Sequence, residues 1–206
     1  MIAKLFAKYQ SIGLITLSLL AGAIMTFIAL PVLTRLYSVA DFGAYGIALA
    51  IVSVLSTVAN MRLDQALLVA DEQDKKSLIF EGAAFSTAIA VISGIVISAI
   101  LNVEMAGAVA TGVLANTLIQ SLYNYQFSAH QEYFCAGLNI FRSAIVVAVQ
   151  LSLPLVMQIS LVNSYNLSSV IMIVAVLIYL LKHQLYQVSW QAFKHYKDFI
   201  YANTSH

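Results

Sequence analysis

The sequence predicts an all-α integral membrane protein, a bundle of six transmembrane helices. Three observations carry this. First, 61% of the 206 residues are hydrophobic and only 9% are charged. A soluble domain carries roughly 25% charged residues, so this chain has too few charges to cover a water-facing surface. Second, the apolar residues fall in runs that reach the roughly 18 residues a helix needs to cross a bilayer. Third, those runs do not alternate. Strands of a membrane barrel would show alternating segments of about ten residues, whereas 170–181 is continuously apolar. Backbone in lipid finds no water, so helices are the remaining solution.

The same composition excludes an ordinary soluble enzyme and a disordered regulator. A net charge of +1 offers no field for a nucleic acid. The single cysteine, Cys135, excludes a disulfide framework and a multi-cysteine metal site.

The first span is expected over 11–33, after Lys4 and Lys8. Ala21-Gly22-Ala23 has the form of a signal-peptide cleavage site, but the apolar run continues well past it. The second span is expected over 42–69 and the third over 78–101. The fourth is expected over 105–127, the fifth over 134–157 and the sixth over 167–186. Residues 187–206 are polar and aromatic and hold no span. The domain reading is thus a six-helix lobe over 1–186 and a cytoplasmic linker over 187–206.

Loop charges set the orientation. Lys4, Lys8, Lys75, Lys76, Lys182, Lys194 and Lys197 fall on one side, and only Arg35 on the other. Both termini are therefore expected to be cytoplasmic. Ser38-Val39-Ala40-Asp41 reads as a capping box for the second helix. Asp71 and Asp74 have the same character before the third.

Polar residues in lipid cost free energy, so their positions inform. Ser53, Ser56, Thr57, Asn60 and Asp64 lie along one face of the second span. Gly112, Asn116, Gln120 and Asn124 recur every four residues in the fourth. Asn139, Arg142, Ser143 and Gln150 share a side of the fifth, and Ser18, Gly22 and Thr26 a side of the first. The third span offers only small groups such as Ser86, Thr87 and Gly94, and the sixth is nearly featureless. Spans one, two, four and five are expected to surround a polar interior, with three and six facing lipid. Interhelical hydrogen bonding is the better account of the Ser and Thr residues and explains Asn116, Gln120 and Asn124 equally well.

The intramembrane charges carry the sharper hypothesis. Arg62 and Asp64 lie near the cytoplasmic end of the second span, and Arg142 about two turns into the fifth. Their similar depth allows a shared cavity for an anionic substrate, with Asn116, Gln120 and Asn124 beside it. Structural ion pairing, or snorkelling of the two arginines, is the competing account. Pro31 and Pro154 cannot donate to the carbonyls of Phe27 and Gln150. Both are candidates for kinks or gating hinges. His130, His183, His195 and His206 form no His-Glu-x-x-His pair, and there is no Gly-x-Ser-x-Gly elbow. The residues point away from an enzyme and from a bound metal.

Several segments resemble a known family. Leu30-Pro31-Val32-Leu33-Thr34-Arg35-Leu36-Tyr37-Ser38, followed by Asp41-Phe42-Gly43, is similar to the polysaccharide biosynthesis proteins. These are the O-antigen (lipopolysaccharide O-unit) flippases of the MATE-like multidrug/oligosaccharidyl-lipid/polysaccharide exporter superfamily. Arg62-Leu63-Asp64-Gln65-Ala66, Phe141-Arg142-Ser143 and Tyr196-Lys197-Asp198-Phe199 support the likeness. Ile200 departs from it, because proline usually stands there.

The resemblance implies translocation of undecaprenyl-diphosphate-linked sugar across the bacterial inner membrane, with proton or sodium coupling and no other cofactor. It implies that Arg35, Arg62 and Arg142 attract the diphosphate or acidic sugars. It also implies two six-helix lobes, of which this chain resembles the N-terminal one. The partner is then a second lobe or a second copy. A non-transporting membrane scaffold is the alternative reading, and an enzyme of lipid-linked sugars the less favoured one.

Overall fold

The computed structural model describes residues 2–61, 63–157 and 159–185, with side chains from residue 13 onward except at position 73. Among these residues the backbone forms seven helices and no strand. They are α1 (Ile2–Leu36), α2 (Val39–Ala59), α3 (Leu63–Val69), α4 (Glu72–Ile100), α5 (Val103–Ser128), α6 (Glu132–Val156) and α7 (Leu161–Lys182). All but α3 are long and apolar enough to cross a membrane. The chain is a multi-pass helical membrane protein.

Local chemistry explains most of the boundaries. Ser38 caps α2 as a capping box: its Oγ accepts from the Asp41 amide at 3.2 Å, and Asp41 Oδ2 accepts from the Ser38 amide at 3.0 Å. Asn102 caps α5 through the Met105 amide at 2.7 Å, and Ser160 caps α7 through the Asn163 amide at 3.1 Å. Asp71 stands at the N-cap of α4 in extended backbone.

The second predicted span needs correction. Residues 42–69 do not form one helix. Asn60 closes α2, Met61 turns left-handed at φ 45°, and α3 starts afresh at Leu63. An unbroken helix of that length would run about 42 Å, well beyond a hydrocarbon core of about 30 Å. Instead α3 is a separate short helix that buries Leu63, Ala66 and Leu67 against α4 and α5.

The sixth span also begins earlier than expected, at Leu161 rather than 167, and ends at Lys182. Asn163 to Asn166, about one turn near its start, look like loop in sequence because they are polar. In the fold Ser164 and Tyr165 are buried, and Asn166 bonds Thr111 of α5 at 2.9 Å. The third helix likewise starts at Glu72, ahead of the expected 78.

The expected arrangement of faces is overturned for the sixth span. α5 is the central helix, 67% buried along its span, and α7 is next at 39%. α1, α2, α4 and α6 stand at 17–22%. So α7 packs inward, against α5, α6 and α2. α5 also has the lowest mean hydropathy of the six, 1.3. Its polar side chains are tolerated because neighbouring helices shield them from lipid.

The small-residue stripe of α1 packs on α6. Asn139 Nδ2 donates to Ser18 Oγ at 3.1 Å, and a Cβ on Gly22 would collide with the Ser143 hydroxyl. Here the stripe serves close helix approach. Thr26, one turn further, donates to the Gly22 carbonyl at 3.0 Å.

Candidate functional site

The polar faces of α2, α3, α5 and α6 meet in a cavity of about 350 Å³. α2 contributes Ser53, Ser56 and Thr57, and its cap contributes Asn60. α3 adds Asp64 and Gln65, α5 adds Asn116, Thr117 and Gln120, and α6 adds Arg142. Asp64 reaches it from α3, just past the break at Met61.

Arg142 anchors one wall. Its Nη2 donates to Asn116 Oδ1, and the rest of its guanidinium is exposed. It sits ten residues past the first residue of α6, about 15 Å along the helix.

One turn along α5 from Asn116 a chain of amides begins. Gln120 Nε2 donates to Asn124 Oδ1 at 3.5 Å. Asn124 Nδ2 donates to the Asp64 carbonyl at 3.0 Å and to Asp64 Oδ2 at 3.3 Å. Asn124 is itself buried, so it holds α3 to α5 behind the lining. Asn60 Nδ2 donates to Ser121 Oγ at 3.0 Å. Among the described residues, Ser56 Oγ and Asn60 Oδ1 are buried without a hydrogen-bond partner.

A second chamber of about 510 Å³ adjoins the first. The two share Ser53, Asn116 and Arg142, so the Arg142–Asn116 bond stands between them. The second chamber is walled by Thr26, Ser143 and two tyrosines, Tyr45 and Tyr165. The tyrosine rings meet edge to face, 5.5 Å apart.

The structure therefore gathers Asp64, Asn116, Gln120 and Arg142 around one space, with Asn124 directly behind. It does not bring Arg35 there. Arg35 ends α1 at the other end of the bundle and is exposed. Arg62 lies outside the described residues, as does the 187–206 linker. Pro31 and Pro154 lie in the closing turns of α1 and α6 and line neither chamber. Pro31 is exposed.

Three residues escaped the sequence reading. Tyr45 and Tyr165 read as ordinary apolar filling, since nothing local distinguishes them. Glu81 did carry a signal: it is the one acid in the run 78–101. It is fully buried in α4 and accepts from Ser77 Oγ at 3.3 Å. Its neighbour Gly82 packs against Asn60, where a Cβ would come within 2.5 Å of the Asn60 Oδ1. Among the described residues no three His, Cys, Asp or Glu side chains converge as a metal would require.

No protein-family model, curated protein or solved structure matches this chain.

Proposed function

We propose that this membrane bundle is one lobe of a transporter for an anionic, lipid-linked sugar, with undecaprenyl-diphosphate-linked oligosaccharide as the substrate class. The observation that carries the reading is Arg142. It presents a charged, partly unspent guanidinium to an open polar cavity well inside a membrane-spanning helix. Exposing such a charge near mid-membrane costs about 2.5–3.5 kcal/mol on insertion scales. A diphosphate entering the cavity would offset that cost with charge-assisted hydrogen bonds. Ser53, Thr57 and Gln120, exposed in the lining, supply polar groups that suit a sugar.

The cavity is open on one side, and Ser53, Thr57 and Gln120 on its rim are exposed. A polar rim at membrane depth calls for a polar cover. A second lobe, or a second copy of this chain, supplies it. The bacterial inner membrane with cytoplasmic termini fits the loop charges: Lys75, Lys76 and Lys182 lie at one end of the bundle and Arg35 at the other.

The test is complementation of a flippase-deficient strain by this chain together with a C-terminal lobe. Arg142→Lys should retain partial surface polysaccharide and Arg142→Gln should lose it, at equal membrane levels. Full activity in Arg142→Gln would remove the anion-binding reading. Activity in no version of the assembly would favour the scaffold alternative.

A further inference from the structure

α6 leans on α1 and touches α5 only lightly, which leaves a second space on its other face. This groove, about 490 Å³, lies between α5, α6 and α7. Its floor is Leu122, Leu138, Met172 and Val176, all buried, and its rim carries Phe134 and Phe141. The lining is apolar apart from tyrosine hydroxyls at one end. There the Tyr179 oxygen is already taken by Gln126 Nε2 at 2.6 Å.

Gly137 gives the groove its meaning. It stands in mid-helix with ordinary negative φ, and nothing lies within 4 Å of where a Cβ would be. Neither backbone conformation nor helix packing requires a glycine there. A helical glycine costs about 0.5–1 kcal/mol relative to alanine. Its effect is to keep the groove wall bare.

The groove also has a polar mouth. Tyr133 and Tyr179 lie within a turn of the adjoining ends of α6 and α7. His183 stacks on Tyr179 at 4.4 Å, and Lys182 precedes it; both are exposed. Aromatic rings with a flanking cation are the usual chemistry of the lipid headgroup level.

We propose that this groove holds one hydrocarbon chain of a resident phospholipid, its phosphate at the mouth beside Lys182 and His183. The site lies wholly within membrane-spanning helices, so hydrocarbon is its natural filling. A bilayer lipid is favoured over the substrate's own prenyl chain by position. Gly137 and Phe141 lie on the face of α6 opposite Arg142, Ser143 and Val146, which line the polar chambers.

The experiment is native mass spectrometry of the purified protein after incubation with phosphatidylglycerol. The wild type should retain one lipid through detergent washing. Gly137→Leu puts a side chain into the groove from a position whose Cβ would meet nothing within 4 Å, and it should lower retention roughly tenfold, as expected for excluding about two methylenes. Gly46→Leu, at another open helical glycine, should leave retention unchanged. Lys182→Glu should reduce retention of phosphatidylglycerol more than of phosphatidylcholine, and this surface change tests the mouth without touching the packing. Equal retention in Gly137→Leu and wild type would overturn the proposal. So would competitive displacement of the phospholipid by undecaprenyl phosphate, which would make the groove a substrate site.

Discussion

The Tyr37 hydroxyl donates to the Gln150 backbone carbonyl at 2.9 Å, and that carbonyl is the acceptor Pro154 cannot serve. Proline in a membrane helix leaves an orphan oxygen that lipid cannot satisfy. Here a tyrosine from the turn between α1 and α2 satisfies it. Ser164 of α7, 2.8 Å away, is placed to donate to the tyrosine oxygen in turn. One residue thus ties α1, α6 and α7 together at the end of the bundle away from the lysines.

Tyr37→Phe should therefore destabilise the fold by about 1–3 kcal/mol, the cost of leaving a buried acceptor unpaired. The check is thermal unfolding in detergent. Burial also raises the Tyr37 hydroxyl above its ordinary value of 10.0. The unfolded chain then loses this proton at lower pH than the folded one. The contribution is fully present below pH 10 and is lost as pH rises through the folded value. Tyr37→Phe should flatten the alkaline part of the stability curve, and an unchanged slope would place the pH dependence elsewhere.

The Arg142–Asn116 bond can be measured by a double-mutant cycle. Arg142→Gln, Asn116→Leu and the pair, compared by unfolding in detergent, should give a coupling of about 0.6–1.7 kcal/mol, the range for polar pairs between membrane helices. Additive effects would show that the two side chains do not support one another.

Asn124 fastens α3 to α5 through both the backbone and the side chain of Asp64. Asn124→Leu should release that short helix. Amide exchange over Leu63–Val69 should quicken by about tenfold, the effect of a bond worth about 1.4 kcal/mol, while α5 exchanges as before. Faster exchange throughout α5 would mean that Asn124 supports the core rather than the tether.

Gly22 faces Ser143 too closely for a side chain. Gly22→Ala should cost about 1–3 kcal/mol through overpacking, and Ser143→Gly in the same protein should recover much of it. Loss of stability without recovery would point to a disturbance beyond this contact.

Much of the fold was legible because the bilayer constrains it so tightly. Hydropathy located six spans, and Ser38 with Asp41 announced a cap that the structure reproduces. The boundaries that slipped share one cause. Asn163, Ser164, Tyr165 and Asn166 are polar and so resembled loop, yet they form helix that faces α5. In lipid a polar residue can mark a helix interface as readily as a helix end. Periodicity also put Asn116, Gln120 and Asn124 on one face and implied that they look toward Asp64 and Arg142. Arg35 joined the candidates through the family resemblance alone, although the loop charges already put it on the other side of the membrane. The partners of Tyr45, Tyr165 and Glu81 lie on other helices, and no local pattern encodes them.

The sequence by itself determined that the chain is helical, crosses a membrane six times and carries polar stripes that must turn away from lipid. Those are consequences of solvent: hydrocarbon satisfies no backbone group and hydrates no charge. Only the tertiary structure decided which stripes become glue and which become a cavity. Ser18 and Gly22 meet Asn139 and Ser143 closely and leave no space. Ser53, Thr57, Gln120 and the Arg142–Asn116 pair instead surround a cavity beside the break at Met61, where α3 packs on α4 and α5. Whether facing polar groups close on one another or enclose a cavity depends on helix separation and kinks, which arise from long-range packing.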